Sequence, residues 1–134
     1  MDFLFQAALR FLALMPALTL HEFAHAYSAD RMGDPTPRAA GRVSLNPIDH
    51  LDPIGSLMIL FAPIGWAKPV PINPMNFRDP AKGTLITSAA GPAANIVQGI
   101  FWGLILRVVL AVGPVGRQTQ VLVSFLAILT LINF

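Results

Sequence analysis

Long apolar runs separated by short polar stretches dominate this chain. Four apolar segments stand out, at residues 3–29, 51–66, 83–112 and 121–134. The first and third are long enough for helices that cross a bilayer, which takes roughly 20 residues. The second is short and broken by prolines and glycines, as in re-entrant or interfacial segments, and the fourth has no charged residue but is shorter than a usual span. The pattern predicts a helical membrane fold.

Basic residues flank the second apolar segment on both sides. They are Arg31, Arg38 and Arg42 before it, and Lys68, Arg78 and Lys82 after it. Because basic loops favour the cytoplasmic side, both flanks belong on the same face, and the segment should enter the membrane and return. The same rule makes the first helix run inward, so that its C-terminal end lies toward the cytoplasm.

Two polar stretches have the character of extended chain. Residues 40–45 alternate roughly like a short strand, and residues 66–74 contain three prolines that exclude helix. An edge strand or a polyproline-like ribbon fits both. We therefore predict an all-α membrane protein with about three transmembrane helices, one re-entrant segment and short extended strands at the cytoplasmic face. Residues 1–134 would form a single membrane-embedded unit.

Composition supports a lipid environment and excludes some other functions. Hydrophobic residues make up 54% of the chain and charged residues only 12%, whereas soluble domains carry about 25% charged residues. A net charge of +2 gives no basis for a nucleic-acid partner. The absence of cysteine excludes disulfides and thiolate metal ligands. The partners we expect are the lipid bilayer and other membrane proteins.

The most specific chemical signal is the run His21-Glu22-Phe23-Ala24-His25, which contains the only glutamate of the chain. Histidines four residues apart share one helix face, where both imidazoles can reach a zinc ion at about 2.0–2.1 Å. Glu22 projects roughly 100° away and is placed to exchange protons with an attacking water. The alternative is that three polar residues satisfy a bundle interior. Because ionisable groups at membrane depth are costly and usually functional, we favour zinc.

A complete catalytic zinc site usually has three protein ligands. The remaining candidates are His50 and the aspartates at positions 2, 30, 34, 49, 52 and 79, and nothing in their setting singles one out. The polar cluster at residues 46–53 contains Asn-Pro and Asp-Pro pairs, which initiate turns and cap helices. For this cluster we favour turn and cap formation over metal ligation.

Asn95 is the one amide in a run of small residues in the third apolar segment. Small residues allow membrane helices to approach closely. Asn95 would then either form an interhelical hydrogen bond, or hold the substrate backbone or stabilise an oxyanion beside the zinc. Spacing alone leaves both roles open.

Four motifs together resemble the prokaryotic site-2 proteases, the M50 class of intramembrane zinc metalloproteases. They are HEFAH at 21–25, GRVSLNPIDHLDPIG at 41–55, GWAKPVPINP at 65–74 and AGPAAN at 90–95. The resemblance extends over about residues 15–98. It implies that His21 and His25 bind zinc, that Glu22 is the catalytic acid/base, and that Gly91 and Asn95 match the G-x-x-x-N motif near the active site. It further implies cleavage of peptide bonds in or near transmembrane segments of substrate proteins, at a bacterial or archaeal cell membrane.

One departure from that family concerns the third zinc ligand, which the resemblance implies is an aspartate in an L-D-G motif near the fourth apolar segment. The sequence ends at Ile132-Asn133-Phe134, where the stretch preceding that motif would begin, and Leu51-Asp52 is followed by proline instead. We therefore expect incomplete zinc ligation and a chain truncated before the motif. An inactive fragment and a non-catalytic membrane scaffold remain alternatives to an active protease.

Overall fold

The computed structural model describes residues 3–61, 66–112 and 116–133, which are mostly helical. Five α-helices follow one another: α1 (Phe3–Met32), α2 (Thr36–Ala39), α3 (Pro53–Phe61), α4 (Pro80–Val112) and α5 (Arg117–Ile132). Two short 3₁₀ turns, Pro47–His50 and Pro74–Asn76, lie in the connections. The apolar segments predicted at 3–29, 83–112 and 121–134 correspond to α1, α4 and α5.

Helix α1 is 30 residues long and continues through Pro16. It ends at Gly33, whose φ of 115° lies in the region that only glycine adopts readily. The amide of Asp34 donates to the carbonyl of Ala29 at 3.0 Å and closes the last turn. The helix thus ends at Met32, after the HExxH run.

Helices α1, α4 and α5 pack against one another. Ala13 of α1 and Leu126 and Leu129 of α5 form the centre of the core, and apolar side chains of α4 and α5 surround them. The small Ala13 is fully buried, which lets the larger leucines of α5 approach α1. This core lies on the N-terminal half of α1, well before His21.

Two helices, α1 and α4, are long and apolar enough to cross a membrane by length and composition. In the most apolar 18-residue window of α4, only 11% of the residues are buried inside the structure. Most of its leucine, isoleucine and valine side chains therefore face outward, which is unusual for a helix surrounded by water. Where about three transmembrane helices were predicted, α5 is shorter, with 16 residues.

The described residues contain no β-strand, so the predicted short strands do not form as such. Their only trace is one isolated antiparallel bridge, between Leu51 and Ala67. Residues 40–45 instead make a turn with Gly41 at φ 69°, and the prolines at 69 and 71 have no N–H for a strand ladder. The predicted re-entrant segment contains α3, but residues 62–65 lie outside the described part.

Candidate metal centre and cleft

The two histidines of the HExxH run converge on one point. Their Nε2 atoms lie 3.1 Å apart. Two ligands at about 2.0–2.1 Å from a tetrahedral zinc are separated by about 3.3 Å, so the pair fits two positions of a zinc site. Both side chains are partly buried on the C-terminal half of α1.

A backbone hydrogen bond orients the ring of His25. Its Nδ1 lies 2.7 Å from the carbonyl oxygen of Thr87 in α4. Because a carbonyl only accepts, Nδ1 carries the proton and the Nε2 of neutral His25 keeps its lone pair. A hydrogen bond of this kind fixes the tautomer that binds metal through Nε2.

Gly91 leaves the space in which the two imidazoles meet. A Cβ atom at this position would lie 2.6 Å from Nε2 and 2.7 Å from Cε1 of His21, and it would collide with Nε2 of His25. Real Cβ atoms do not approach other atoms so closely, so any larger residue would displace the imidazoles. A glycine with no Cβ lets α4 pass directly beside the histidine pair.

Glu22 and His25 of α1 line a cleft of about 480 Å³. Its lining also includes the extended residues Ala67, Pro69, Val70 and Ile72. The rest of the lining comes from Pro74, Phe77, Thr84, Thr87 and Ser88. Among these described residues only Glu22 carries a full charge, so a carboxylate faces a space bounded mostly by apolar and hydroxyl side chains.

Asn95 does not line this cleft. It lies one turn after Gly91 on α4, and its Oδ1 atom is buried without a hydrogen-bond partner. Nδ1 of His21 is buried and unpartnered in the same way. Along the antiparallel pair of helices, His21 contacts position 91, and Gln98 donates to the carbonyl of Ala17 at 3.4 Å.

The two unpartnered atoms are chemically complementary. An Nδ1–H group donates and an amide oxygen accepts. The structure shows no hydrogen bond between them, so the role of Asn95 at the histidine pair is left to the proposal below.

His50, the third histidine, has both ring nitrogens engaged elsewhere. Its Nε2 lies 2.7 Å from the carbonyl oxygen of Ser44, and its Nδ1 lies 3.3 Å from a guanidinium nitrogen of Arg42. The ring is fully buried. Nearby, the side chain of Asn46 accepts from the amide of Ile48, so this cluster forms turns as favoured from the sequence.

Asp52 serves as a helix cap. Its carboxylate accepts from the amide of Gly55 at 2.7 Å, at the start of α3. Within the described ranges, no three side chains of His, Cys, Asp or Glu come together in a way that could hold a metal ion. The structure thus supplies two converging imidazoles and a neighbouring carboxylate.

Two buried charged residues near the cleft carry no signal in the sequence. Arg42 is 3% exposed and Asp34 is 0% exposed, and both hydrogen-bond to residues more than 25 positions away. Burial lowers the pKa of Arg42, while the charges of Glu22 and Asp49 act in the opposite direction. A basic or acidic residue in a polar loop is usually solvated, so only the folded contacts show that these two are not.

Comparison with curated proteins finds relatives named as zinc metalloproteases. The chain is 43% identical over 99 residues to a Bacillus subtilis protein named "Putative zinc metalloprotease YwhC", covering 74% of this chain and 45% of that protein. It is 35% identical over 89 residues to "Putative zinc metalloprotease Rip2" of Mycolicibacterium smegmatis, covering 63% of this chain and 34% of that protein. The chain thus spans less than half the length of these relatives.

No family model and no solved structure matches the chain. Both relatives are named as zinc metalloproteases. The converging imidazoles of His21 and His25 are the part of this chain that fits such a metal.

Proposed function

We propose that this chain belongs to a zinc-dependent intramembrane protease and carries its HExxH run. The proposed reaction is hydrolysis of peptide bonds in or near transmembrane segments of other proteins. The observation that carries the proposal is the convergence of two imidazoles beside a cleft that the carboxylate of Glu22 faces. Both imidazoles lie on a helix apolar enough to cross a membrane. The resemblance to site-2 proteases and the names of the curated relatives support the same chemistry.

His21 and His25 would hold the zinc through their Nε2 atoms. When bound, zinc supplies the positive charge that polarises a peptide carbonyl and makes water a stronger nucleophile. The carbonyl of Thr87 holds His25 in the binding tautomer, and Asn95 has a complementary acceptor for Nδ1–H of His21. In this proposal Asn95 supports the metal site by orienting a ligand, since it does not line the cleft.

Glu22 would handle the protons of the reaction. Its carboxylate faces the cleft from the same helix as the histidines. It would accept a proton from the attacking water and deliver it to the nitrogen of the departing amine. General acid–base catalysis of this kind contributes roughly 10²–10⁴-fold to a rate, so Glu22→Gln should lower kcat by that factor while zinc remains bound.

The substrate would lie in the cleft between α1 and the extended residues 67–72. The amides of Val70 and Ile72 have no hydrogen-bond partner among the described residues. They are available for an unwound substrate strand, by β-augmentation. Val70→Pro and Ile72→Pro remove these donors one at a time, and unchanged cleavage in both variants would rule the pairing out.

Membrane location is part of the same proposal. Helices α1 and α4 would span the bilayer, and the HExxH run would lie toward the cytoplasmic side because the adjoining loops are basic. Reporter fusions at Pro71 and Gly116 should then lie on opposite sides of the membrane. The same side for both would contradict this topology.

A second candidate is an inactive fragment or a membrane scaffold that keeps the protease fold. The observation in its favour is that no third ligand accompanies the two histidines within the described part of the chain. Zinc analysis of the purified protein separates the candidates. Stoichiometric zinc that is lost in His21→Ala favours the protease, whereas a metal-free and proteolytically inert preparation favours the scaffold.

The decisive test of the proposed function is cleavage of a model substrate in liposomes by the purified protein. The substrate is a single apolar transmembrane helix with a fluorescent tag. We expect cleavage that a zinc chelator abolishes, that added zinc restores, and that Glu22→Gln slows by roughly 10²–10⁴-fold. Cleavage at the parent's rate in Glu22→Gln, or cleavage that the chelator leaves unchanged, would show that another activity is responsible.

A further inference from the structure

One wall of the cleft is an extended stretch that is neither helix nor strand. This wall segment, residues 66–74, includes the cleft-lining residues Pro69, Val70 and Ile72. Apart from the single bridge at Ala67, it belongs to no regular element before the 3₁₀ turn at Pro74. Its position must therefore be fixed by contacts from other parts of the chain.

Arg42 holds the N-terminal end of the wall segment. Its guanidinium donates to the carbonyl of Pro69 at 2.9 Å and also to the carbonyl of Lys68. The same guanidinium lies 3.3 Å from Nδ1 of His50, whose own carbonyl accepts from the amide of Lys68 at 3.0 Å. The buried side chain of Arg42 thus bonds to two carbonyls that lie 26 and 27 residues further along the chain.

Asp34 holds the C-terminal end in a similar way. Its carboxylate accepts from the amide of Asn73 at 2.7 Å and from the side-chain amide of Asn76 at 2.8 Å. The middle of the wall segment, around Val70 and Ile72, lies between these two anchors and faces the cleft. Separate anchors make it possible to release one end and leave the other in place.

The buried charge of Arg42 must be compensated by its contacts. Its charge is costly to bury unless hydrogen bonds replace the lost water. In the described part of the chain no carboxylate lies within ion-pair distance of Arg42, and its bonds go to main-chain carbonyls and to an imidazole. Five N–H groups in a planar fork suit this task, whereas a lysine ammonium cannot reach the same acceptors together.

We infer that Arg42 is a positioning residue that holds the wall segment at the cleft, so that a peptide can be bound between this segment and Glu22. The inference rests on the proposed protease function. Arg42 bonds to the carbonyl of Pro69 and is not among the residues that line the cleft, so in this inference it acts on the substrate only through the wall. An alternative is a purely electrostatic action on Glu22, which would depend on the charge and not on the fork of hydrogen bonds.

Two substitutions separate these alternatives, because Arg42→Lys keeps the charge and loses the fork, while Arg42→Gln loses both. Exposed Arg38, which pairs with Asp30 at 2.7 Å, gives the matched control Arg38→Lys. The first measurement is hydrogen exchange at single amides of the purified protein in micelles. In both Arg42 variants we expect exchange at Lys68 to rise roughly tenfold, the worth of about one hydrogen bond, while Asn73 stays protected by Asp34.

The second measurement is cleavage of a fluorogenic apolar peptide of alanine, leucine and glycine. We expect KM to rise roughly tenfold in both Arg42 variants, with kcat within about threefold of the parent, because binding is lost and chemistry is not. Arg38→Lys should change neither constant. Normal kinetics in Arg42→Lys together with a fall of kcat in Arg42→Gln would overturn the inference in favour of electrostatic action.

Two further readouts keep the test decisive. If Arg42→Gln does not fold, Arg42→Lys alone still tests the inference, because it keeps the buried charge and loses the fork, and the same rise of KM is expected. An unchanged KM in Arg42→Lys would contradict the inference. If the parent protein cleaves nothing, the proposed function fails, but unchanged exchange at Lys68 in Arg42→Gln would still refute the anchoring role by itself.

Discussion

Gly91 of α4 lies so close to His21 of α1 that no side chain fits between them. The hypothetical Cβ would be 2.6 Å from the nitrogen that points toward the metal position. Helix α4 therefore forms the floor of the candidate zinc site without contributing a ligand from this position. The closeness of the two helices, and not only the HExxH spacing, determines where the two imidazoles meet.

Gly91→Ala should abolish tight zinc binding with little loss of helix stability. The methyl group displaces both imidazoles, and we expect zinc affinity to fall on the order of 100-fold, the upper end of what disturbed ligand surroundings cost. Alanine raises helix propensity by up to about 1 kcal/mol over glycine, so the helix itself should not weaken. Competitive titration with a chromophoric chelator measures the affinity.

The matched control is Gly103→Ala in the same helix. There a Cβ would lie 3.5 Å from Cγ2 of Thr130, which is ordinary van der Waals contact. This variant should bind zinc like the parent. Equal zinc affinity in Gly91→Ala and Gly103→Ala would show that the histidines do not need the space beside Gly91.

Asn95→Ala should weaken zinc binding about tenfold, by removing the acceptor that we propose for Nδ1–H of His21. Nitrogen chemical shifts of the His21 ring measure the tautomer directly, and we expect the Nδ1-protonated form to lose population in the variant. Gln98→Ala, one turn further along α4, is the control, because Gln98 bonds to the backbone of Ala17 and not to a histidine. Indistinguishable ring shifts in the parent and Asn95→Ala would exclude the orienting role.

Asp34 should make stability depend on pH in the acid range. Burial tends to raise the pKa of Asp34, but hydrogen bonds from Asn76, Thr36 and Asn73 outweigh it and hold the pKa below its usual value. Because the pKa is lower in the folded state, the contribution is complete above the unfolded value of about 3.9. It is lost as the pH falls below that value through the folded pKa.

Asp34→Asn should therefore lower the free energy of unfolding near neutral pH by about 2 kcal/mol, since the amide keeps one acceptor oxygen and sets its NH2 group against a donor that the carboxylate had accepted from. The variant should also lose the parent's fall in stability below about pH 4. Thermal unfolding in micelles across this pH range measures both effects. Asp30→Asn, which breaks only an exposed pair with Arg38, should change stability little. The same acid profile in parent and Asp34→Asn would contradict the prediction.

The long helices were predictable because their signal is local. Continuous apolar runs specify α1 and α4, and the HExxH spacing places two imidazoles on one face wherever the helix packs. The turns near His50 were also predictable, because Asn-Pro and Asp-Pro act within a few residues. In each case the interacting groups are separated by no more than a few turns of chain.

The cleft wall was predictable only as an extended ribbon. Strand pairing at residues 40–45 fails because Gly41 turns the chain and Arg42 points inward to carbonyls of the wall. Every residue, proline included, offers the same backbone carbonyl, so a bond from Arg42 to Pro69 leaves no pattern in the sequence. Buried bonds from side chain to distant backbone become visible only in the folded structure.

X-ray absorption of the zinc-loaded protein tests most directly the central claim that the HExxH run binds zinc. We predict imidazole nitrogen ligands at about 2.0–2.1 Å, with at least two histidines per zinc. One of them should disappear in His21→Ala, and none in His50→Gln, because both ring nitrogens of His50 are already engaged. A spectrum without imidazole scattering, or one that His50→Gln alters and His21→Ala does not, would contradict a zinc centre at the HExxH run.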